Sequence, residues 1–523
     1  MIIAVIREMD VMNKLLTTSS TLSPYQHLNL KREAKVKVNV LGVFSSLAML
    51  VSTSVTAVPA IAAETSHTSQ QQPNILLILT DDLGYNDVGF NGSTDITTPN
   101  LDELAANGTS FSQAYVAHPF CGPSRAALMT GRYPHKIGSQ FNLPTKGSFV
   151  GVPTNEQFIS KLLQNNGYNT GAIGKWHLGE APEFHPNARG FDDFYGFTGG
   201  GHNYFPEQFK AQYANQVKLG NTNINHYILP LEHNGKEVDE NEYITDALSR
   251  EASRFVEDAA TDDKPFFLYL AYNAPHVPLE AKQSDMDMFP NITDEKRKTY
   301  AGMVYAVDRG IGRVVDSLEK TNQLDNTLIV FLSDNGGKLS KGASNYPLKE
   351  GKGSVYEGGF RSPMLFHWPK QVAAGQRFEH PVLALDLYPT FAALAGITIP
   401  SQKRLDGKDI WPAFSAGEDP HKDELFYVLR HRKGYSDASV RRNQWKAVKQ
   451  GDKPWQLFNV EVDLNETNDL SKKHKTMLID MVREMEKWSW DNKQPLWFHE
   501  AYEGADWRLK GMPRFDQTFS TSK

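Results

Sequence analysis

Three short apolar runs that stop abruptly at polar clusters constrain this chain more than any other feature. Residues 74–79 (Asn-Ile-Leu-Leu-Ile-Leu) end at Thr80-Asp81-Asp82. Residues 266–272 end at Asn273-Ala274-Pro275-His276, and residues 328–332 end at Ser333-Asp334-Asn335-Gly336-Gly337. An unbroken apolar run without alternation fits a strand buried on both faces, the situation of a parallel sheet covered by helices. Helical patterns fall between the runs, at 100–107, 156–165, 246–260 and 300–320. Strand–helix alternation predicts an α/β sandwich with a large central sheet. Ligands of such sheets gather at the carboxyl ends of the strands, where all three polar clusters fall.

After about residue 400 the texture changes. Strand-like segments at 425–430, 445–449 and 456–460 are separated by polar turns, and a helix is expected over 474–488. This predicts a smaller antiparallel sheet with a helix. The expected division is 1–62 signal peptide, 63–72 polar linker, 73–400 catalytic domain and 401–523 C-terminal subdomain. A chain of 523 residues is long enough for one large and one smaller core.

The leader reading rests on Lys31, Arg32, Lys35 and Lys37 before an apolar stretch from about 38 to 58. Ala60-Ile61-Ala62 offers a small-x-small cleavage site. Ser and Thr interrupt the apolar stretch, which argues against a membrane anchor. No cysteine follows it directly, so a lipid-anchored form is excluded. An exported protein, periplasmic or secreted, is the expectation. Residues 1–62 hold six basic and three acidic residues, so their removal takes the formal charge from −6 to −9. An acidic body argues against broad binding of nucleic acid or anionic membrane. An anionic substrate would then need positive charge concentrated in one pocket.

Cys121 is the only cysteine. It excludes an intramolecular disulfide, a redox pair and a four-cysteine zinc site. Most lone cysteines are small buried apolar residues, but the surroundings of this one are unusual. In Cys121-Gly122-Pro123-Ser124-Arg125-Ala126-Ala127-Leu128-Met129-Thr130-Gly131-Arg132, Pro123 suits a first helical turn and Gly131 can end the helix. Cys121 then opens a helix with Arg125 one turn on, an electropositive position suited to an anion.

This run resembles the signature of type I sulfatases, Cys-x-Pro-Ser-Arg followed by Leu-x-Thr-Gly-Arg, at every fixed position. The resemblance extends over roughly 73–470 and is similar in kind to bacterial polysaccharide sulfatases. It implies an alkaline-phosphatase-like fold and oxidation of Cys121 to formylglycine by a maturation enzyme. Asp81-Asp82 and Asp334-Asn335, each of which alone reads as a turn or helix cap, match the family's metal site. All-oxygen ligands suit calcium or magnesium; the family implies one calcium ion, also touched by position 121. In Gly174-Lys175-Trp176-His177, spacing by two sets both side chains on one side of an extended segment. The resemblance assigns Lys175 and His177, with Arg125, to the nucleophile and sulfate. It assigns His276, between Pro275 and Pro278, to the leaving group, and Lys352 to the sulfate and ester oxygen.

The implied mechanism is hydration of the aldehyde to a geminal diol, in-line attack on sulfur, and protonation of the leaving oxygen by His276 or Lys352. Collapse of the diol with help from His177 then expels sulfate. One element departs from the pattern. Where some sulfatases place a serine before a histidine, this chain has Gly199-Gly200-Gly201-His202. Gly201 is expected to take the serine's place and His202 to line the substrate pocket. Asp386 is expected to cap a following helix. Arg404, Arg430, His431, Arg432, Arg441 and Arg442 are cationic candidates for further sulfates. The expected substrate is a sulfated oligo- or polysaccharide, with algal galactans such as carrageenan ahead of ulvan. Arylsulfatase or glycosaminoglycan sulfatase activity is the nearest alternative. A phosphate or phosphonate monoester hydrolase, and a non-catalytic carbohydrate-binding protein, are rivals from other classes.

Overall fold

The computed structural model describes residues 72–144, 149–432 and 435–509. They all belong to one unit, 69–523. The expected signal peptide, and the linker apart from Gln72, lie outside the described residues. No helix of the described residues is long and apolar enough to cross a membrane.

The three apolar runs form the strands Asn74–Thr80, Phe266–Ala271 and Thr327–Ser333. Asn74–Thr80 lies in the middle, parallel to both others. Asn169–Lys175 and Asp193–Phe197 extend the parallel centre on one side. The full sheet has ten strands, and its flanks are mixed: Met364–His367 runs antiparallel to Thr327–Ser333, and Leu231–His233 antiparallel to Asp193–Phe197.

Burial on both faces explains why the runs show no alternation. Ile75, Leu77 and Leu79 enter one apolar cluster, Leu76 and Ile78 the other. Helices Ile244–Ala259 and Glu295–Lys320 cover the second face. Cys121–Thr130, Ile159–Gln164 and Leu387–Leu394 cover the first. Each boundary falls within a few residues of the expected helix, because the apolar stripe that defines the pattern is also what packs.

The C-terminal sheet is an antiparallel meander of Leu425–Arg432, Tyr435–Arg442, Trp445–Lys449 and Gln456–Asn459. Leu429, Val440 and Leu457 pack beneath the helix Lys475–Ser489. Val428, Val448 and Phe458 face the other way and join the main core. The strand Tyr435–Arg442 escapes a reading of the sequence, since Tyr-Ser-Asp-Ala-Ser-Val-Arg-Arg carries little apolar signal. Asp386 does not cap the helix after it. Its carboxylate accepts from the backbone N–H of Leu383 and of Lys408 and pairs with His421 at 2.7 Å.

Candidate active site

Strand register assembles the site. Thr80 lies opposite Ser333 and Leu79 opposite Ala271. Asp81-Asp82 therefore leaves the sheet beside Asp334-Asn335 on one side and the 273–276 turn on the other. Backbone bonds hold the exits together: Asp334 N–H donates to Thr80 O at 3.0 Å, and Asp81 N–H to Ala274 O at 3.2 Å. Gly174 lies opposite Ala271, which brings Lys175 to the same edge. Asp82 turns out of its strand in the left-handed region, at φ 64°. That conformation is uncommon outside glycine, asparagine and aspartate.

Cys121 opens the helix Cys121–Thr130, all of whose residues are buried, and Gly131 ends it at φ 64° with its N–H on Ala127 O. The expected helix is thus present. Gly122 N–H donates to Asn142 Oδ1 at 2.9 Å, an end-of-helix partner supplied from the following loop. Cys121 Sγ lies 3.2 Å from Asp81 Oδ1 and 3.2 Å from Lys352 Nζ. Arg125, fully buried, donates through Nε to Asp334 Oδ2 at 2.8 Å and through Nη1 to Lys175 O at 2.9 Å. Lys175 pairs with Asp81, and Lys352 with Asp82. His276 Nε2 stands 3.8 Å from Asp82 Oδ2. Nine of the residues singled out in the sequence thus meet through direct contacts: Asp81, Asp82, Cys121, Arg125, Lys175, His276, Asp334, Asn335 and Lys352.

His177 reaches the same place by another route than the one expected. The chain is not extended there; His177 adopts φ 62° after the strand ends at Lys175. Its ring borders both Gly122 and Gly200, where a built Cβ would lie 3.5 and 2.9 Å from it. Its Nδ1 has no hydrogen-bond partner among the described residues.

Burial makes the charges interdependent. It pushes the Asp81 carboxyl up, but Lys175, His276, Arg125 and Lys352 outweigh it and hold Asp81 well below the usual carboxylate range. Burial and the negative charge of Asp81 raise Asp334 to about 6, against the pull of Arg125 and Lys175. Burial lowers His276 to about 4 and drives the Cys121 thiol well above its ordinary value. Lys352 is driven upward, because Asp82, Cys121 and Asp81 overcome the cost of its burial. A buried thiol held protonated is a poor nucleophile as it stands.

The donor set fits a hard divalent cation. Asp81, Asp82, Asp334 and Asn335 offer oxygens only, and Asn335 Oδ1 is buried with no partner among the described residues. Asn335 Nδ2 donates to Asp82 Oδ1 at 2.7 Å, and Asp82 N–H donates to Asp334 Oδ1 at 3.4 Å. Donor atoms of Asp81, Asp82, Cys121 and His276 also lie within 4.8 Å of one another, a cluster that could hold a metal ion.

The glycine run behaves differently from the expectation. Gly199, Gly200 and Gly201 form a floor on which three rings lie. A Cβ on them would meet His226 at 2.6 Å, His177 at 2.9 Å and Tyr227 at 2.6 Å. Tyr227 fills the space where a side chain at 201 would stand, and its ring is 6.4 Å from that of His276. Sequence reasoning missed Tyr227, which lies 26 positions further on and carries no motif. His202, expected in the pocket, is in the core instead. It is 0% exposed, sits between Phe197 and Phe209, and bonds Asn203 O and Leu229 O at 2.6 and 2.8 Å. Arg441 is likewise buried, on Tyr115 and Gln113, away from Cys121.

Comparison with known proteins agrees with this geometry. The family described as Sulfatase matches residues 73–397, and that described as N-sulphoglucosamine sulphohydrolase, C-terminal, matches 351–491. Human N-acetylgalactosamine-6-sulfatase is 36% identical over 368 residues, 68% of each chain. Human arylsulfatase A is 35% identical over 385 residues, 72% of this chain and 74% of the relative. Among solved structures, Ps i-CgsB in complex with k-i-k-neocarrahexaose is 70% identical with a TM-score of 0.85. The match covers 86% of this chain and 100% of that one. The PsFucS1 sulfatase from Pseudoalteromonas sp. is 26% identical with a TM-score of 0.68, covering 85% of this chain and 92% of the other. The match over 73–397 and the identities to named sulfatases leave one conclusion: the chain belongs to the sulfatase family and is a sulfuric ester hydrolase.

Proposed function

We propose that this chain hydrolyses sulfate esters on a sulfated galactan of the carrageenan type, with formylglycine at position 121 and one calcium ion. The observation that carries this reading is the place of Cys121 Sγ, 3.2 Å from both an acidic strand end and Lys352 in a water-poor pocket. The choice of galactan is supported by the 70% identity to Ps i-CgsB, which was crystallised with k-i-k-neocarrahexaose. Cys121 is 2% exposed in the folded chain, so a maturation enzyme has to reach it before folding closes the site. The basic–apolar leader fits export, since a polysaccharide outside the cell cannot come to the enzyme.

When present, the hydrated aldehyde supplies a hydroxyl nucleophile for sulfur, and calcium supplies charge that offsets the sulfuryl oxygens. The chain's own residues do the rest. Arg125, clamped by Asp334 and the Lys175 carbonyl, holds the acidic strand ends in register with position 121. Lys175 and Lys352 keep positive charge where the sulfate enters, and a dry site strengthens that attraction. Lys352 retains its proton, so Lys352 Nζ is at hand for the leaving oxygen, while His276 stands beside Asp82 at the same edge. His177, held neutral by burial and by the charges of Lys175 and Arg125, offers Nδ1 to take a proton from position 121.

The test combines chemistry and mass. Active protein should release sulfate from carrageenan oligosaccharides and carry at position 121 a peptide mass lower by about 18 Da, the difference between cysteine and formylglycine. Exhaustive chelation should abolish turnover, and calcium should restore it. Full turnover by protein holding only the free thiol, or faster turnover of phosphonate than of sulfate esters, would overturn the reading.

A further inference from the structure

A cavity of about 350 Å³ opens beside Cys121 and is lined in part by Phe120, Asn142, Arg430, Arg432, His499 and Tyr502. It is built by two parts of the chain. Phe120 immediately precedes Cys121, and Asn142 receives the Gly122 N–H. Arg430 and Arg432 come from the first strand of the C-terminal sheet. The cavity therefore adjoins the residues on either side of Cys121 and is large enough for a sugar unit.

Its charge is unevenly balanced. Arg432 has a carboxylate of its own, Asp437. Arg430 stands over the Phe120 ring, 4.6 Å from its centre, with only 21% of its side chain exposed. Its Nη1 donates to Gly353 O, next to Lys352. Its nearest carboxylate is the same Asp437, 4.0 Å away. Burial, the adjacent Arg432 charge and weak compensation lower the Arg430 guanidinium to about 10. A guanidinium presents five donors in a fixed fork, and the backbone contact uses one of them. Glu503 also faces the cavity, but its carboxylate accepts from the Glu500 N–H at 3.0 Å. His499 turns Nδ1 to Leu143 O at 2.8 Å, so its ring is fixed at the wall.

We propose that this cavity binds the sugar unit next to the one being desulfated, and that Arg430 receives a second sulfate carried on that unit. The inference rests on the reading of this chain as a saccharide sulfatase. It adds that the preferred substrate bears sulfates on adjacent units, so that removal of one ester depends on the presence of its neighbour. The aromatic floor under Arg430 and the clamp to Gly353 hold the fork in one pose, which suits a planar pair of bonds to a sulfate.

The test uses the matured full chain and two oligosaccharides with the same scissile ester, one with and one without a sulfate on the adjacent unit. The readout is the ratio of kcat/KM for the doubly over the singly sulfated compound. In the wild type the ratio should exceed one and fall as salt is raised. Arg430→Gln should lower it about tenfold, the size expected for one charge-assisted contact. Arg430→Lys, which keeps the charge, should retain part of it. An unchanged ratio in Arg430→Gln, whatever the absolute loss, would mean that Arg430 only props the Gly353 loop and would overturn the proposal. Absence of turnover of any sulfate ester by the wild type would instead overturn the sulfatase reading beneath it.

Discussion

Two buried clusters of charge in this molecule use the same residue types to opposite ends. The first, at the strand ends, joins Asp81, Asp82 and Asp334 to Arg125, Lys175 and Lys352. The second joins Glu357 and Glu466 to Lys446 and Arg361, between the segment after Lys352 and the C-terminal sheet. In the second, Lys446 lies 2.9 Å from both glutamates. Glu357 also takes the Tyr115 hydroxyl at 2.7 Å, and Glu466 the Glu357 N–H at 2.7 Å. In the first, Asn335 Oδ1, His177 Nδ1 and Arg125 Nη2 keep no hydrogen-bond partner among the described residues; in the second only Glu466 Oε1 does, and it ion-pairs with Lys446 at 2.9 Å. A buried charge cluster that closes on itself fastens one sheet to the other. One that leaves donors and acceptors open has room for an ion and a substrate. Residue type does not separate the two; remaining hydrogen-bond capacity does.

The sharpest way to break this comparison is to touch one residue of each cluster. Cys121→Ala removes the reacting atom from the open cluster and fills its space closely. Turnover should fall by at least ~10³-fold, with the unfolding midpoint changed little; sulfate release and thermal melts check both. Lys446→Met acts on the closed cluster, leaving Glu466 buried without its cation and Glu357 with Arg361 alone. It should cost about 3–5 kcal/mol of stability, read by denaturant unfolding, while the molecules that remain folded keep their turnover number. A large loss of turnover in folded Lys446→Met would show that the two clusters are one functional unit.

Smaller effects test the edges. Tyr227→Ala removes the ring that stands over Gly201 beside His276. It should lower kcat/KM on a sulfated oligosaccharide by about tenfold and spare a small aryl sulfate by comparison. His202→Ala deletes a core ring instead, so it should lower the melting temperature without changing the preference between those substrates. Equal preference in both variants would return the specificity role to neither residue.

A further test concerns pH. Burial and the charge of Glu357 raise Glu466 to about 7, against Lys446, from an ordinary value near 4.5. A carboxyl whose folded value is raised binds its proton more tightly in the native state. It favours folding below the unfolded value, and that contribution is lost as pH rises through the folded value. Glu466→Gln removes the titration. Its stability relative to the wild type should therefore climb between about pH 4.5 and 7 and level off above. A flat difference across that window, measured by denaturant unfolding, would show that Lys446 keeps Glu466 ionised throughout.

Most of the residues that meet at the candidate site were legible in the sequence, because they sit where local signals are strongest. Apolar runs mark the buried strands, and the polar residues that end them mark the sheet's carboxyl edge. A proline and a glycine bracket the cysteine helix. His202 and Arg441 were misread for a common reason. Their types suggest an exposed, charged role, while their side chains are buried by partners far away in sequence: Leu229 for the one, Tyr115 and Gln113 for the other. Tyr227 was invisible because nothing near it in sequence says that Gly201 is its neighbour. The strand Tyr435–Arg442 was missed because its inward face includes serine and arginine rather than a row of apolar residues.

By itself, the sequence determined the strand–helix order, the cysteine at a helix start, and the paired acids and lysines that bring the chain into the sulfatase family. Each follows from signals within a few residues: hydrophobic run length, turn chemistry and motif spacing. Only the tertiary structure decided which cations reach Cys121, which rings cover the glycine floor, and which arginines are free to meet an anion. Those are questions of distance between residues far apart in the chain. The parallel register of Thr80 with Ser333 and Leu79 with Ala271 answers the first of them. The packing of the C-terminal sheet against the main core answers the last: Arg441, on Tyr435–Arg442, is buried on Tyr115 and Gln113, whereas Arg430, on the adjacent strand Leu425–Arg432, lines a cavity with Phe120.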